Sequence, residues 1–201
     1  MFDAFIQKYI NAFAFQSLTT EEFIDFMRAE LPSVFDLVNV QEWLYEPGFP
    51  ESAPEIQSRQ VAEVEAVSEN YRQGIRPTEE DIKDWNWLQT MIFFRALPET
   101  ISIDDCRYFE GLFAFNEDTY PPLLGEFYKV CIRSGYEQIY PQVEILFSAT
   151  GRLMVIMPIF RTMVNTEWTQ TLARPLFEEL RDRYHPHTIA VFERILKEAE
   201  M

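Results

Sequence analysis

Apolar residues recur along this chain at intervals of three and four, the spacing that lines one face of a helix. Phe2, Phe5, Ile6, Tyr9, Ile10 and Phe13 form the first stripe. Thr19 followed by Glu22 reads as a capping box opening a second helix, with Phe23, Phe26, Met27 and Leu31 facing inward and Pro32 marking its end. A short helical piece over 38–45 leads into Glu46-Pro-Gly-Phe-Pro50. Proline cannot continue a helix and disfavours one at the residue before it. Residues 46–54 therefore read as a stiff linker between packed units, with Gly48 bending freely between two prolines.

Beyond the linker the pattern predicts closely spaced helices. One runs from about Glu55 to Gln73 and stops near Gly74. Thr78 with Asp81 opens the next, whose face is Ile82, Trp85, Leu88, Ile92 and Phe93. Ser102 caps another that turns Cys106, Phe109 and Phe113 inward. Pro121 and Pro122 suit the first turn of a helix reaching Ile132. Ile139, Val143 and Leu146 mark a further helix ending near Gly151. The helix over 153–164 contains Pro158 and is expected to kink or restart there. Leu172, Leu176 and Leu180 line a helix with Pro175 near its start, and the last begins after His185-Pro186 with Ile189, Phe192, Leu196 and Ala199 on one face.

Connections this short set successive helices roughly antiparallel, and a run of such hairpins stacks into a curved α-solenoid. No strand pair and no repeat of fixed period interrupts the pattern. The predicted fold is all-α: stacked antiparallel helix pairs forming a superhelix. A chain of 201 residues supports one well-buried core, and 18 phenylalanines suit the gaps between helices.

Charge narrows the partners. A net charge of −16 repels phosphate backbones and anionic membrane surfaces, so neither nucleic acid nor membrane is expected. Cys106 and Cys131 are the only cysteines and lie in apolar helical patterns. They read as small core residues in a reducing compartment, with cytoplasm as the expected location.

Candidate chemistry is sparse. His185 and His187 stand two apart and point to different faces of a helix, so they make no metal pair; a cap at the helix start is their simpler role. The pairs Glu21-Glu22, Glu79-Glu80-Asp81 and Asp104-Asp105 fall in first turns, where they complement the helix dipole. No G-x-S-x-G or phosphate-cradling glycine loop occurs. Arg152, after Gly151 at a helix start, reads on composition alone as a surface arginine.

Several motifs, in order, carry a resemblance. They are Thr19-Thr-Glu-Glu-Phe-Ile-Asp-Phe26, Glu42-Trp-Leu-Tyr-Glu-Pro-Gly-Phe-Pro50, Phe115-Asn116, Cys131-Ile-Arg-Ser134, Gly151-Arg152, Pro158-Ile-Phe160 and His185-Pro-His-Thr188. Together they resemble the end of the catalytic domain and the C-terminal helical domain of leukotriene A4 hydrolase-like zinc aminopeptidases. The resemblance implies that residues 1–31 are the final helices of a catalytic domain, 32–54 a linker with a short helix, and 55–201 the C-terminal helical domain. It implies a non-catalytic role: walling the active-site channel of a parent enzyme that cleaves small peptides.

The family's H-E-x-x-H zinc motif and its G-x-M-E-N strand do not occur here, so the resemblance implies no cofactor in this chain and zinc in the parent protein. At Gly151-Arg152 the family pattern is G-R-M-K-F, whose arginine binds the substrate's free carboxylate. The resemblance gives that role to Arg152, while Met154 stands where the family has lysine. The partners implied are the upstream catalytic domain of the same polypeptide and small peptide substrates. The competing expectation is a self-standing α-solenoid that binds a protein partner in its concave face.

Overall fold

The structure, a computed structural model, describes residues 1–55, 57–116 and 119–199. It divides into two compact units, Met1–Gln57 and Ser58–Met201. Among the described residues every regular element is helical.

The first unit holds α1 (Phe2–Phe13), α2 (Thr20–Glu30), α3 (Val34–Leu37) and α4 (Val40–Tyr45). α1 and α2 meet through the expected aromatic stripe: Phe13 lies edge-on to Phe26 at 5.2 Å and Tyr9 edge-on to Phe23 at 5.5 Å. The Thr19–Glu22 capping box forms on both sides. The helical piece expected over 38–45 is α4, which opens at Val40 because Asn39 caps it by accepting from the Glu42 N–H; α3 is a separate turn before it. Glu42 in turn accepts from the Glu51 N–H at 2.6 Å and the Ser52 hydroxyl at 3.0 Å. Those bonds fold the proline segment back, and Gly48 takes the turn with φ +104°. Among the described residues of this unit only Phe5 and Leu31 are buried, and Phe2, Ile10, Phe15 and Leu37 lie exposed.

The second unit carries α5 (Arg59–Arg72), α6 (Glu79–Ile82), α7 (Trp87–Ala96), α8 (Ile103–Phe113), α9 (Pro121–Arg133), α10 (Tyr140–Ala149), α11 (Leu153–Val164), α12 (Glu167–Leu180) and α13 (Pro186–Ala199). Packing runs down the chain: α5 against α7, α7 and α8 against α9, α9 against α11, and α11 against α12 and α13. This is the α-solenoid-like arrangement that the helix spacing predicts. Seven phenylalanines, at 93, 109, 127, 147, 160, 177 and 192, are fully buried. Each such burial stabilises by about 1.5–3 kcal/mol. Phe160 and Phe192 stack face to face at 4.0 Å.

Helix ends follow local chemistry. α5 and α9 close in Schellman motifs, with the Ile75 N–H reaching Asn70 and the Tyr136 N–H reaching Cys131. Gly74 and Gly135 supply the left-handed residue. α5 begins at Arg59 rather than near Glu55, because the Ser58 hydroxyl caps it; residue 56 lies outside the described residues.

The helix expected from Thr78 through Phe93 is two. Asn86 opens α7 by accepting from the N–H groups of Leu88 and Gln89, and Gln89 bonds back to the Asn86 N–H. That second capping box breaks the run. α11 runs on through Pro158 as one helix, so it does not restart there. The carbonyl orphaned by the missing N–H belongs to Met154, an exposed residue. Pro175 sits in the interior of α12 and not near its start, since the helix opens at Glu167, directly after Thr166, and about two turns precede the proline.

Candidate functional site

Most of the motif residues act structurally. Arg133 Nε donates to the Glu99 carbonyl at 2.8 Å, and the Ser134 hydroxyl accepts from the Ile101 N–H at 3.0 Å. These fasten the connection before α8 to the end of α9. Phe115 stacks on Phe113 and packs against Phe94 and Phe127. The His187 N–H donates to His185 Nδ1 at 3.1 Å, so the histidines build the start of α13. Cys106 and Cys131 are buried free thiols, and burial pushes the Cys131 thiol far above its ordinary range. The acidic first turns at 21–22, 79–81 and 104–105 lie where the dipole favours them. In the capping box the Thr19 N–H holds the Glu22 carboxyl below its usual value.

Among the described residues no three His, Cys, Asp or Glu side chains come together as a ligand set.

One place is chemically different. α7, α9 and α11 enclose a groove of about 210 Å³. α7 contributes Trp87, Met91 and Arg95, four apart on one face; α9 contributes Pro122, Gly125, Glu126 and Lys129, again one face. α11 contributes Val155, Pro158 and Ile159 from its first two turns, with Arg152 and Met154 at the mouth. Trp87 packs edge-on against Tyr120 at 4.7 Å on the rim.

The groove holds three cations and one carboxylate. Glu126 binds Arg95 Nε at 3.0 Å with one oxygen and Lys129 Nζ at 2.7 Å with the other. Arg152 is exposed, and among the described residues no carboxylate pairs with its guanidinium. It occupies the N-cap of α11, where its N–H donates to the Thr150 hydroxyl at 3.1 Å and its carbonyl accepts from Val155 and Ile156.

A cation is electrostatically unfavourable at the positive end of a helix. No side chain caps α11 and no acidic residue stands in its first turn. α9 and α10 likewise lack a side-chain cap and a first-turn acid, so what sets α11 apart is the arginine at its N-cap. The N-terminus of α11 thus joins a helix dipole to a guanidinium at the mouth of a cationic groove, an arrangement whose chemistry suits an anion. Arg152 therefore lies where the sequence predicts, at a helix start. Arg95, Glu126 and Lys129 escaped sequence reasoning. Their signal was the helical spacing of 87/91/95 and of 122/125/126/129, which places charge among apolar positions.

Among known proteins, the family model described as "Leukotriene A4 hydrolase, C-terminal" matches residues 85–196. Leucine aminopeptidase 2-1 of Meyerozyma guilliermondii is 25% identical over 205 residues, covering 92% of this chain and 32% of that protein. Leukotriene A-4 hydrolase of Xenopus laevis is 22% identical over 201 residues, covering 94% of this chain and 32% of that protein. The chain thus spans about a third of the length of the curated relatives it matches. The solved structure titled "Structure of native yeast LTA4 hydrolase" superposes with a TM-score of 0.76 at 23% identity, covering 97% of this chain and 35% of that one. It shares the fold.

Proposed function

The chain belongs to the leukotriene A4 hydrolase C-terminal domain family, and on that premise we propose that it is the non-catalytic C-terminal part of a zinc-dependent aminopeptidase. Residues 1–31 end the catalytic domain, 32–54 link, and 55–201 form the helical domain that walls the active-site channel. Zinc, its ligands and the general base belong to the upstream catalytic domain. When bound there, the metal supplies a nucleophilic water and polarises the scissile carbonyl. The partners are that domain and small peptides, in a reducing cytoplasm that suits two buried free thiols. The net charge of −16 argues against nucleic acid and membrane.

Arg152 is the residue of this chain that meets the substrate. Its planar fork pairs with a C-terminal carboxylate in two parallel hydrogen bonds and so fixes how far the peptide enters the channel. The observation that carries the reading is an arginine at the N-cap of α11, on a cationic groove, with no carboxylate partner among the described residues. Nothing in its packing calls for the charge.

Arg152→Ala tests this. In the full-length enzyme, losing the charged bond costs on the order of 2–5 kcal/mol of transition-state binding for free tripeptides. Amidated tripeptides change little, and the stability of this chain shifts by less than about 0.5 kcal/mol. Equal losses on free and amidated peptides, or an unfolded variant, would make Arg152 a structural residue.

A further inference from the structure

Met154 is exposed at the groove mouth and carries no charge, so α11 offers an incoming carboxylate a single cation. The same groove holds a second one from another helix. Lys129 stands on α9 with its side chain only 20% exposed, and Glu126 beside it is 14% exposed. Arg95, the third cation, is 56% exposed. The charge of Lys129 is therefore the least screened of the pair flanking Glu126, and acts at closest to full strength on an anion in the groove.

A structural role accounts for only part of this arrangement. Arg95 and Glu126 join α7 to α9 as a cross-helix pair, which satisfies one carboxylate oxygen. Lys129 takes the other. Two cations on one carboxylate leave an excess positive charge at the groove, shared between the exposed Arg95 and the largely covered Lys129. Arg152 at the same groove adds to the excess. This occurs in a chain with 33 acidic and 17 basic residues, where acidic neighbours are plentiful and none but Glu126 lines the groove. An ammonium has three N–H donors, and the Glu126 bond uses one. The remaining donors find acceptors when an anion enters.

We infer that Lys129 is a specificity-determining residue that binds, together with Arg152, the free carboxylate of the ligand, with Glu126 positioning its ammonium from the side away from the ligand. The inference rests on the carboxylate-binding role of Arg152. It replaces a cation on the same helix by one reaching across the groove from α9. The apolar wall of Met91, Pro158 and Ile159 then takes the last side chain of the peptide.

The test is binding of tri-alanine and of tri-alanine amide to the 201-residue chain, followed by NMR titration of backbone amides at 120–130 and 150–160. Four proteins are compared: wild type, Lys129→Gln, Lys129→Arg and Arg152→Gln, each checked by thermal melt. The expected result is that Lys129→Gln weakens the free peptide about tenfold without changing the amide, and that Lys129→Arg restores most of the loss. If Arg152→Gln weakens the free peptide and Lys129→Gln does not, the inference fails and the role of Arg152 stands. If wild type does not distinguish acid from amide, both fail. If Lys129→Gln melts early but Lys129→Arg binds as weakly at wild-type stability, Lys129 serves the fold alone and the inference is overturned.

Discussion

Asp105 is the most connected carboxylate of the second unit, and replacing it by asparagine separates charge from shape. Its carboxylate accepts from Arg76 Nε at 2.5 Å, the Ser102 hydroxyl at 2.7 Å and the Tyr71 hydroxyl at 2.9 Å. The three donors come from the connection after α5, the N-cap of α8 and the last turn of α5. Ser102 and Tyr71 donate to the same oxygen, so the one oxygen of asparagine keeps those two bonds without the charge, while its NH2 faces Arg76, a donor only, and that bond is lost. A hydrogen bond to a charged group contributes about 1.5–3 kcal/mol, but Arg76 is 44% exposed and its share falls toward the value for surface pairs. The expected loss is about 2–3 kcal/mol, or about 4–10 °C in Tm for a unit of this size.

The pH dependence gives a second, independent reading. Burial alone would raise the Asp105 carboxyl, but the bonds from Ser102, Tyr71 and Arg76 outweigh it and hold the group below its ordinary 3.8. A carboxyl lowered on folding stabilises above its unfolded value and loses that stabilisation as pH falls through the folded one. Burial and the same bond raise the Tyr71 hydroxyl, so it remains a donor throughout. Urea melts of wild type and Asp105→Asn are thus expected to differ by a constant amount from neutral pH to about pH 5 and to converge below about pH 4. A difference under about 0.5 kcal/mol at neutral pH, or one that persists undiminished into acid, refutes this account of the knot.

Two further substitutions probe the fold. Phe192→Ala empties a site where the ring is fully buried, stacked on Phe160 and edge-on to Phe177 at 5.5 Å; a loss of about 3–5 kcal/mol is expected in the urea midpoint, with an unchanged slope. Asn86→Ala removes the cap that separates α6 from α7 and is expected to cost about 1 kcal/mol, while Asn86→Gly costs a few tenths, so equal effects in the same melts would deny the cap.

The helical stripes were legible because burial in this fold follows the period of three and four closely. Phe109, Phe127, Phe160 and Phe192 each lie at the centre of a stripe and are fully buried. What the pattern misread were places where two local preferences compete. Trp85, Leu88, Ile92 and Phe93 keep a helical phase across 82–93, yet the Asn86–Gln89 capping box stops one helix and starts another inside it. At the prolines the balance falls the other way. At Pro158 and Pro175 tertiary packing of Ile159, Phe160, Leu176 and Phe177 holds the helix through a missing hydrogen bond. The groove was less legible than the fold for a simple reason. Arg152 announces itself by following glycine at a helix start, whereas Arg95, Glu126 and Lys129 come together only when α7 and α9 pack side by side.

The proposed role of Arg152 asks how such an acidic protein would hold an anion at all. A net charge of −16 repels a carboxylate at long range, but at physiological ionic strength that field is largely screened beyond about 8 Å. Inside the groove the balance reverses. A carboxylate about 4 Å from a single cation, at the effective dielectric of a protein surface, gains about 4 kcal/mol before desolvation is counted, and the partly buried Lys129 is screened less than that. The two ranges respond differently to salt. Added salt removes the long-range repulsion first, because it acts over the greater distance, and weakens the contact later. The acidic surface therefore disfavours anions generally, while the groove, in the proposed role, would accept one whose apolar end fits between α7 and α11. Selection would then rest on reaching contact, which a small peptide delivered end-first can do and a large polyanion cannot.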